Sequence, residues 1–186
     1  MARIYTKTGD DGTTGLYFGG RVRKDDPHPR AYGAVDEAQA ALGMVRAFTD
    51  SEELASLMVD LERGLYIAMA ELATLPENRH KLTSGTTLVY PEMVTALETL
   101  IDRYSERFEP PTEFVLPGGT KVAAILDVAR TTMRRAEREA LVVVTADSEV
   151  GKYLNRLSDL LWVLARWQEG GSLTSRGSKE SPDEDE

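Results

Sequence analysis

The chain has 186 residues, of which 41% are hydrophobic and 28% are charged, a composition typical of a single globular domain with a sizeable core. It contains no cysteine and only two histidines, which excludes disulfides and thiolate metal sites and argues against a histidine-rich metal site. Its formal net charge of −9 argues against general nucleic-acid binding, because that function needs a basic surface. Basic residues that cluster in so acidic a protein therefore suggest a specific anionic ligand.

No segment approaches the roughly 18 consecutive apolar residues of a membrane-spanning helix, so we expect no membrane association. The chain begins MARIY, without a basic and apolar leader, and we therefore expect a cytoplasmic protein. Residues 171–186 have the sequence GSLTSRGSKESPDEDE, which is acidic and almost without apolar side chains. We expect one helical domain over residues 1–170, which includes the N-terminal loop, and a disordered acidic tail over residues 171–186.

After a strand-like start at Arg3–Thr6, the segment from Thr6 to Asp26 has the glycine-rich sequence TKTGDDGTTGLYFGGRVRKDD. Its glycines let the backbone approach a ligand closely, its threonines add hydroxyls, and Lys7 and Lys24 add point charges that suit phosphate. The segment lacks the spacing of a Walker A loop and of a dinucleotide-binding fingerprint. We interpret it as a cradle for a polyphosphate; the alternative is an arm that simply turns.

The rest of the chain predicts five long amphipathic helices with mostly short connections. They are expected to run from about Pro29 to Phe48, from just after Asp50 to Thr74, from Pro91 to Phe108, from Thr120 to Val143 and from Glu149 to Glu169. Asp50 and Glu53 have the spacing of a capping box at the start of the second helix. The segment PENRHKLTSGTT is expected to be a loop. With no convincing sheet, the pattern predicts an all-α, up-and-down five-helix bundle.

The fourth helix carries the sequence ARTTMRRAERE, in which Arg130, Arg134 and Arg138 share one face beside the apolar stripe. One interpretation is a solvated surface with salt bridges. The other is a site for an anion such as a triphosphate, because arginines beside a core are commonly held by carboxylates or by a bound anion. Asp36, in the first helix, is a candidate carboxylate partner for Arg130.

Two other regions allow both a structural and a functional interpretation. In the fifth helix, Asn155 could lie on the surface or could bind a ribose or a purine edge, and Trp162 on the same stripe could be plain packing. Phe114 lies in the segment FVLPGG, which cannot be helical. From the residues alone, a cap on the bundle core is the preferred role for Phe114, and presentation to a flat apolar ligand is the alternative.

Six motifs, in this order, resemble those of the PduO-type ATP:cob(I)alamin adenosyltransferases (corrinoid adenosyltransferases). They are IYTKTGDDGTTGL, GGRVRKDD, AYGAVDE, FVLPGG, ARTTMRRAERE and YLNRLSDLLWVLAR, and they extend from about Ile4 to Arg166. The resemblance implies a five-helix bundle that assembles as a homotrimer with active sites between subunits. It also implies transfer of the 5′-deoxyadenosyl group of ATP to cob(I)alamin, formed from four-coordinate Co(II), with release of triphosphate and formation of adenosylcobalamin.

The resemblance further implies a role for each matched residue. The residues expected to line the ATP phosphates are Thr6, Lys7, Thr8, Gly9, Thr14, Gly15 and Lys24. Those expected to complete the nucleotide site are Arg134, Arg135, Glu137, Arg138 and Asn155. Asp36 and Arg130 match an intersubunit salt bridge, Phe114 matches the aromatic at the lower axial face of the corrin, and Trp162 lies near the corrin. Mg²⁺ is expected to be held mainly by the ATP phosphates rather than by protein ligands.

The catalytic residues implied in this way are Lys7, Asp36, Phe114, Arg130 and Arg134. A reductase that supplies an electron and an adenosylcobalamin-dependent enzyme that receives the product are implied partners. The sequence departs from the family pattern at Ala34, Gln39 and Trp162, where threonine, asparagine and phenylalanine are common. A cobalamin carrier or nucleotide sensor without chemistry is the alternative, but such a protein would not need the cations placed for a leaving group.

Overall fold

Most of the chain has the apolar periodicity of a helix. The computed structural model describes residues 4–176, which form five long helices and one short hairpin. The helices are α1 (Pro27–Phe48), α2 (Glu52–Leu72), α3 (Pro91–Ser105), α4 (Lys121–Ala140) and α5 (Val150–Glu169). The hairpin strands are β1 (Thr13–Gly15) and β2 (Arg21–Arg23). The predicted five-helix bundle is therefore confirmed. None of the helices within residues 4–176 is long and apolar enough to cross a lipid bilayer.

The helices pack in an order that differs from their order in the chain. The most extensive contacts join α1 to α2 and α4, and α5 to α4 and α3. The apolar stripe predicted for α4 is buried, as are Leu154, Leu157, Leu161 and Leu164 of α5. Helix α4 therefore packs against both α1 and α5, and α4 and α5 carry most of the motifs that packing does not explain.

Three helices begin at side-chain caps, which satisfy backbone N–H groups that lack an intrahelical partner. The Asp26 side chain accepts a hydrogen bond from His28 N at 3.0 Å, and Ser51 and Thr120 cap α2 and α4 in the same way. The capping box predicted from Asp50 and Glu53 is wrong. Ser51 occupies the cap position, and the Glu53 carboxylate instead binds side chains at the end of α3.

The N-terminal segment folds differently from the expected strand at Arg3–Thr6. Residues 4–6 are not in a strand, whereas β1 and β2 pair in antiparallel register, with Thr13 opposite Arg23 and Gly15 opposite Arg21. This hairpin was missed because its strands have only three residues each. Its tip is attached to the bundle by the Tyr17 backbone N–H, which donates to Ala73 O at 2.8 Å.

Several predicted boundaries also shift. Helices α3 and α4 end three residues earlier than expected, α1 begins two residues earlier, and the loop after α2 contains a 3₁₀ helix at Pro76–Lys81. Residues 171–176 of the expected tail are ordered. Leu116 N donates to Leu173 O at 2.8 Å and Ser175 N donates to Phe114 O at 2.7 Å, so residues 173–175 pair with residues 114–116. Residues 177–186 lie outside the described residues, and their disorder stays a prediction.

Candidate functional site

The glycine-rich N-terminal segment forms a concave surface around a cavity of about 380 Å³. The residues that line it are Ile4, Tyr5, Thr6, Lys7, Thr8, Gly9, Asp10, Thr13, Thr14, Gly15, Arg21 and Lys24. We call this surface the N-terminal cradle. It brings together all seven residues that the resemblance assigned to the ATP phosphates.

The local sequence explains why the cradle is so tightly folded. A Cβ atom at Gly9 would lie 2.9 Å from Thr13 O and 3.2 Å from Lys24 Nζ, so only glycine permits this close approach. Lys7 has a φ of 61°, in the left-handed region that non-glycine residues rarely adopt. Strained backbone of this kind is often found where a protein binds a ligand.

Arg21 is a cradle residue that the sequence analysis did not single out. Its guanidinium donates to Thr8 O at 2.6 Å and to Thr13 Oγ1 at 2.5 Å, and it therefore ties β2 to the loop that precedes β1. The alternation of RVR after the turn-forming GLYFGG segment is a hairpin pattern and could have identified it.

The cradle carries two lysines whose charge no carboxylate among residues 4–176 neutralises. Neither Lys7 nor Lys24 forms an ion pair with any carboxylate among residues 4–176. Asp11 turns toward Thr13 instead, and the two hydrogen bonds from Thr13 hold the pKa of the Asp11 carboxyl below its ordinary value. Two lysines and several hydroxyls and backbone N–H groups thus remain available to an anion such as a phosphate.

Two members of the arginine row of α4, Arg134 and Arg138, form no ion pair with any residue from 4 to 176. Arg130 Nε donates to Asp127 Oδ1 at 3.0 Å, and Arg138 Nη1 donates to the backbone oxygen of Arg134 at 3.1 Å. The neighbouring Arg135 forms an ion pair with Glu37. Arg134 is exposed and forms no ion pair with any residue from 4 to 176, which leaves its guanidinium accessible to an external anion.

Glu137 and Asn155 meet beside a second cavity of about 440 Å³ between α4 and α5. Asn155 Nδ2 donates to Glu137 Oε1 at 3.0 Å, and Asn155 Oδ1 accepts from Arg156 Nη1 at 2.6 Å. Lys152 and Arg156 also line this cavity, and the sequence analysis assigned them no role. The amide of Asn155 is therefore held in one orientation by its two neighbours.

Phe114 does not cap the core, which corrects the role preferred from the residues alone. Its side chain is 88% exposed and lines a third cavity, of about 460 Å³, together with Trp162 and Ser175. Trp162 is half-buried and contacts Phe108 with 6.4 Å between ring centroids. Two aromatic side chains therefore flank one open cleft, a surface that suits a large flat apolar ligand.

A buried ionic cluster lies behind the Phe114 cleft. Arg166 is 2% exposed, and its Nη2 donates to Asp127 Oδ2 at 2.5 Å. Glu169 is the second partner, with 3.0 Å between Arg166 Nε and Glu169 Oε2. Spacing along the fifth helix does not show that two carboxylates would enclose Arg166.

Within one chain these regions remain separate. The N-terminal cradle, the Glu137 cavity and the Phe114 cleft have no lining residue in common. Strands β1 and β2 pack mainly on each other.

Asp36 is exposed and forms no ion pair with Arg130 or any other residue of the described chain, and so an Asp36–Arg130 bridge within one subunit is excluded. Residues 4–176 also contain no group of three histidine, aspartate or glutamate side chains able to hold a metal ion.

The fold and the site together define a helical-bundle protein with two features. One is a cationic cradle whose lysines pair with no carboxylate among residues 4–176, and the other is an aromatic cleft. Residues 4–168 match the family model described as cobalamin adenosyltransferase. The chain belongs to this cobalamin adenosyltransferase family. It is a transferase with ATP:corrinoid adenosyltransferase activity, which makes adenosylcobalamin.

Curated relatives agree with this assignment. The chain is 42% identical over 172 residues to a corrinoid adenosyltransferase of Citrobacter freundii, which covers 91% of this chain and 96% of that protein. It is 39% identical over 191 residues to the corrinoid adenosyltransferase of Mycobacterium tuberculosis, which covers 94% and 97% of the two chains.

Solved structures show the same fold. A variant of the PduO-type ATP:corrinoid adenosyltransferase from Lactobacillus reuteri, in which a phenylalanine is replaced by histidine, was solved in complex with cobalamin and ATP. It is 31% identical to this chain, with a TM-score of 0.85, and the match covers 95% of this chain and 98% of that one. An arginine-to-lysine variant of the same enzyme, complexed with ATP, is also 31% identical, with a TM-score of 0.82 over 93% of this chain and 100% of that one.

Proposed function

We propose that the N-terminal cradle binds the triphosphate of ATP, that the Phe114 cleft binds the corrin, and that Co(I) of cob(I)alamin attacks C5′ of ATP. The Co–C5′ bond forms as the C5′–O bond breaks, and triphosphate leaves with the bonding electron pair. The observation that carries the proposal is the cradle, in which Lys7 and Lys24 converge without carboxylate partners from residues 4–176. Cations placed in this way are suited to a polyphosphate leaving group.

The reaction needs little from the protein except placement and charge. Cob(I)alamin is itself a strong nucleophile, so no side chain has to act as a general base. Lys7, Lys24 and Arg134 would stabilise the charge that develops on the leaving oxygen, and such donors contribute about 3–4 kcal/mol each when well placed. Alignment of cobalt with C5′ can supply roughly 7–11 kcal/mol more.

The cradle is compatible with a magnesium–nucleotide complex. The Asp10 carboxylate lies among the cradle hydroxyls of Thr6 and Thr8 and offers oxygen atoms of the type that Mg²⁺ prefers. Mg²⁺ would be held mainly by the phosphates and would neutralise part of their charge.

Phe114 would prepare the corrin for reduction. An apolar ring against the lower axial face excludes water and a lower ligand, and four-coordinate Co(II) accepts an electron more easily than the five-coordinate form. Support comes from the 88% exposure of Phe114 beside Trp162, since residues 4–176 leave this ring largely uncovered. A reductase would supply the electron, and an adenosylcobalamin-dependent enzyme would receive the product.

The complete site would be assembled between subunits of a homotrimer. In one chain the cradle and Arg134 do not share a cavity, and the hairpin that carries the cradle packs mainly on itself. A second copy could bring its α4 against this open cradle. Asp36, exposed and unpaired within the described chain, would then be able to reach Arg130 of the neighbouring copy.

The proposal is tested by an anaerobic visible-spectrum assay with chemically generated cob(I)alamin, ATP and Mg²⁺. We expect conversion to the adenosylcobalamin spectrum with an equal amount of triphosphate released. If ATP binds but cob(I)alamin persists, the protein is a carrier or a nucleotide sensor. If neither ligand binds, the assignment of the cradle and the cleft is wrong.

A further inference from the structure

Phe114 is exposed, so packing of its own side chain does not hold it in place. Backbone pairing does: Leu116 N donates to Leu173 O at 2.8 Å, and Ser175 N donates to Phe114 O at 2.7 Å. We call residues 172–175 the strap. The strap also lines the Phe114 cleft through Ser175. The position of Phe114 therefore depends on whatever fixes the strap and the 114–119 loop relative to the bundle.

Glu169, at the end of α5, contacts both segments at once. Its Oε2 accepts from Ser172 Oγ at 2.9 Å, and its Oε1 accepts from Gly119 N at 3.3 Å. The first contact is at the start of the strap, and the second is at the end of the Phe114 loop. One carboxylate therefore joins the two segments to α5.

The Glu169 side chain is itself rigidly held. It is 1% exposed, and Arg166 donates to it from Nη2 at 3.2 Å with a second close approach of 3.0 Å between Nε and Oε2. Arg166 also binds Asp127 of α4. The position of the carboxylate is thus set by two central helices, and a buried ionic group with this many partners has little freedom to move.

Gly119 shows how closely the loop is fitted to this carboxylate. A Cβ atom added there would lie 3.0 Å from Glu169 Cγ and 3.2 Å from Oε1. Such contacts are tighter than ordinary van der Waals separations, so a side chain at residue 119 would push the Glu169 side chain away by a few tenths of an ångström.

From these contacts we infer that Glu169 is a positioning residue for corrin binding, because it holds the strap and the 114–119 loop so that Phe114 faces the cleft. Glu169 does not touch the corrin; it acts through the backbone on either side of Phe114. The inference rests on the proposed function, in which Phe114 contacts the lower axial face of the corrin.

The test compares Glu169→Gln, Glu169→Ala and Ser172→Ala with wild type. Asp127 still neutralises Arg166 in each variant. We expect the KM for cob(II)alamin to rise about tenfold in Glu169→Gln, more in Glu169→Ala and a few-fold in Ser172→Ala, because a hydrogen bond to a charged group is lost. The Kd for ATP, measured by calorimetry, is expected to stay within about twofold of wild type, since the cradle is untouched.

A control separates positioning from general destabilisation. Glu62 of α2 pairs with Arg46 of α1 at 3.1 Å and lines neither the cradle nor the cleft. Glu62→Gln should lower the melting temperature without a change in the KM for cob(II)alamin. If the Glu169 variants also lose only thermal stability and keep the wild-type KM, the inference is wrong.

Hydrogen exchange gives a readout that does not depend on turnover. We expect the amides of Leu116 and Ser175 to exchange faster in Glu169→Gln than in wild type, while amides of α1 and α2 are unchanged. Faster exchange in a protein whose wild type forms no adenosylcobalamin would support the positioning role and reject the proposed function. Unchanged exchange at both amides would reject the positioning role itself.

A double-mutant cycle adds an independent check. Gly119→Ala should raise the KM for cob(II)alamin in the wild-type background, because the new methyl group displaces the Glu169 carboxylate. In the Glu169→Ala background the same substitution should have a much smaller effect, since the side chain that it displaces is gone. Fully additive effects would contradict a shared mechanism.

Discussion

The Phe114 side chain is 88% exposed, a large apolar surface that suits contact with a ligand or another subunit. We expect Phe114→Ala to reduce turnover from cob(II)alamin at least tenfold, because water and a lower ligand regain access to the cobalt. The Kd for ATP should be nearly unchanged, as the ring lines a cavity distinct from the cradle. Steady-state assays from Co(II) and calorimetry with ATP check both parts, and loss of ATP affinity would contradict the assigned role.

Arg134 is an exposed member of the α4 arginine row, and no carboxylate among residues 4–176 pairs with it. We expect Arg134→Ala to lower kcat by about 100-fold, because removal of one well-placed donor to a leaving group costs roughly 3 kcal/mol. Arg63→Ala is the matched control, since Arg63 is an exposed arginine of α2 that pairs with Asp60. Near-normal turnover by Arg134→Ala, measured with cob(I)alamin in excess, would show that this side chain does not contact the triphosphate.

For single residues, the sequence predicted the chemical role of a side chain better than it predicted the surroundings of that side chain in the fold. The hydroxyls and lysines of the cradle were identified by type, because phosphate binding needs few kinds of group. Glu169 was not singled out, because spacing along one helix does not predict its contact with Gly119, fifty residues away in the chain. Arg21 was not singled out, because the hairpin that positions it was missed. Phe114 was assigned to the core because an aromatic residue in an apolar segment is more often buried than exposed to a ligand.

Gly64 of α2 lies against Tyr153 of α5, whose ring fills the space beside the glycine. A Cβ atom at Gly64 would overlap Tyr153 Oη and lie 3.1 Å from Cζ, and Tyr153 is only 2% exposed. We expect Gly64→Ala to lower the free energy of unfolding by about 1–3 kcal/mol through overpacking. Denaturant titration measures this.

The control for this prediction is Gly43→Ala in α1. The nearest atom to its Cβ would be Glu62 Oε1 at 3.5 Å, an ordinary contact. That substitution should be neutral or stabilising by up to about 1 kcal/mol, because alanine favours helix more than glycine does. Equal destabilisation by the two substitutions would reject the steric explanation.

Glu53 connects the start of α2 to the end of α3. Hydrogen bonds from Arg107 and Tyr104 hold the pKa of its carboxyl below the ordinary value of 4.5, against a smaller opposing effect of burial. A carboxyl with a lowered folded-state pKa stabilises the fold above its unfolded pKa, and this stabilisation disappears as the pH falls through the folded value.

We therefore expect Glu53→Gln to be less stable than wild type by about 1 kcal/mol or less from about pH 6 to pH 8, since the side chain is 40% exposed. The difference should shrink as the pH falls below 4.5. Urea titrations at a series of pH values measure it, and a difference that grows in acid would mean that the sign is wrong.

The existence of the five helices followed directly from the periodicity of their apolar residues. The ends of the helices and the short strands of the hairpin did not. Five apolar stripes at helical spacing could form only helices. The start of α2 was misplaced by one residue because Asp50 and Ser51 are both good caps, and tertiary contacts of Glu53 decide between them. The strands of the hairpin have only three residues each, so their alternating pattern is a weak signal and was not used.

The whole molecule places its cradle and its arginine row in separate regions of one chain, and we expect three copies to bring them together. Light scattering should give a mass about three times the 20.5 kDa of the chain. Asp36→Arg should dissociate the assembly and abolish activity, because it replaces the proposed partner of Arg130 with a like charge. An active monomer, or an unchanged trimer mass in this variant, would reject the intersubunit bridge.

Pairing of the strap with residues 114–116 affects the order in which parts of the protein can fold during synthesis. Residues 114–116 pair with residues about sixty positions later in the chain, so this contact forms against a substantial loop-closure entropy. The Gly9–Lys24 contact in the N-terminal segment spans far fewer residues, and the hydrogen bond from Tyr17 N to Ala73 O needs the chain only as far as the end of α2. A chain that emerges from the ribosome can therefore fold its cradle early, but it cannot pair residues 114–116 with the strap until residue 175 has been synthesised. Formation of the cradle should then precede formation of the Phe114 cleft in the life of each molecule.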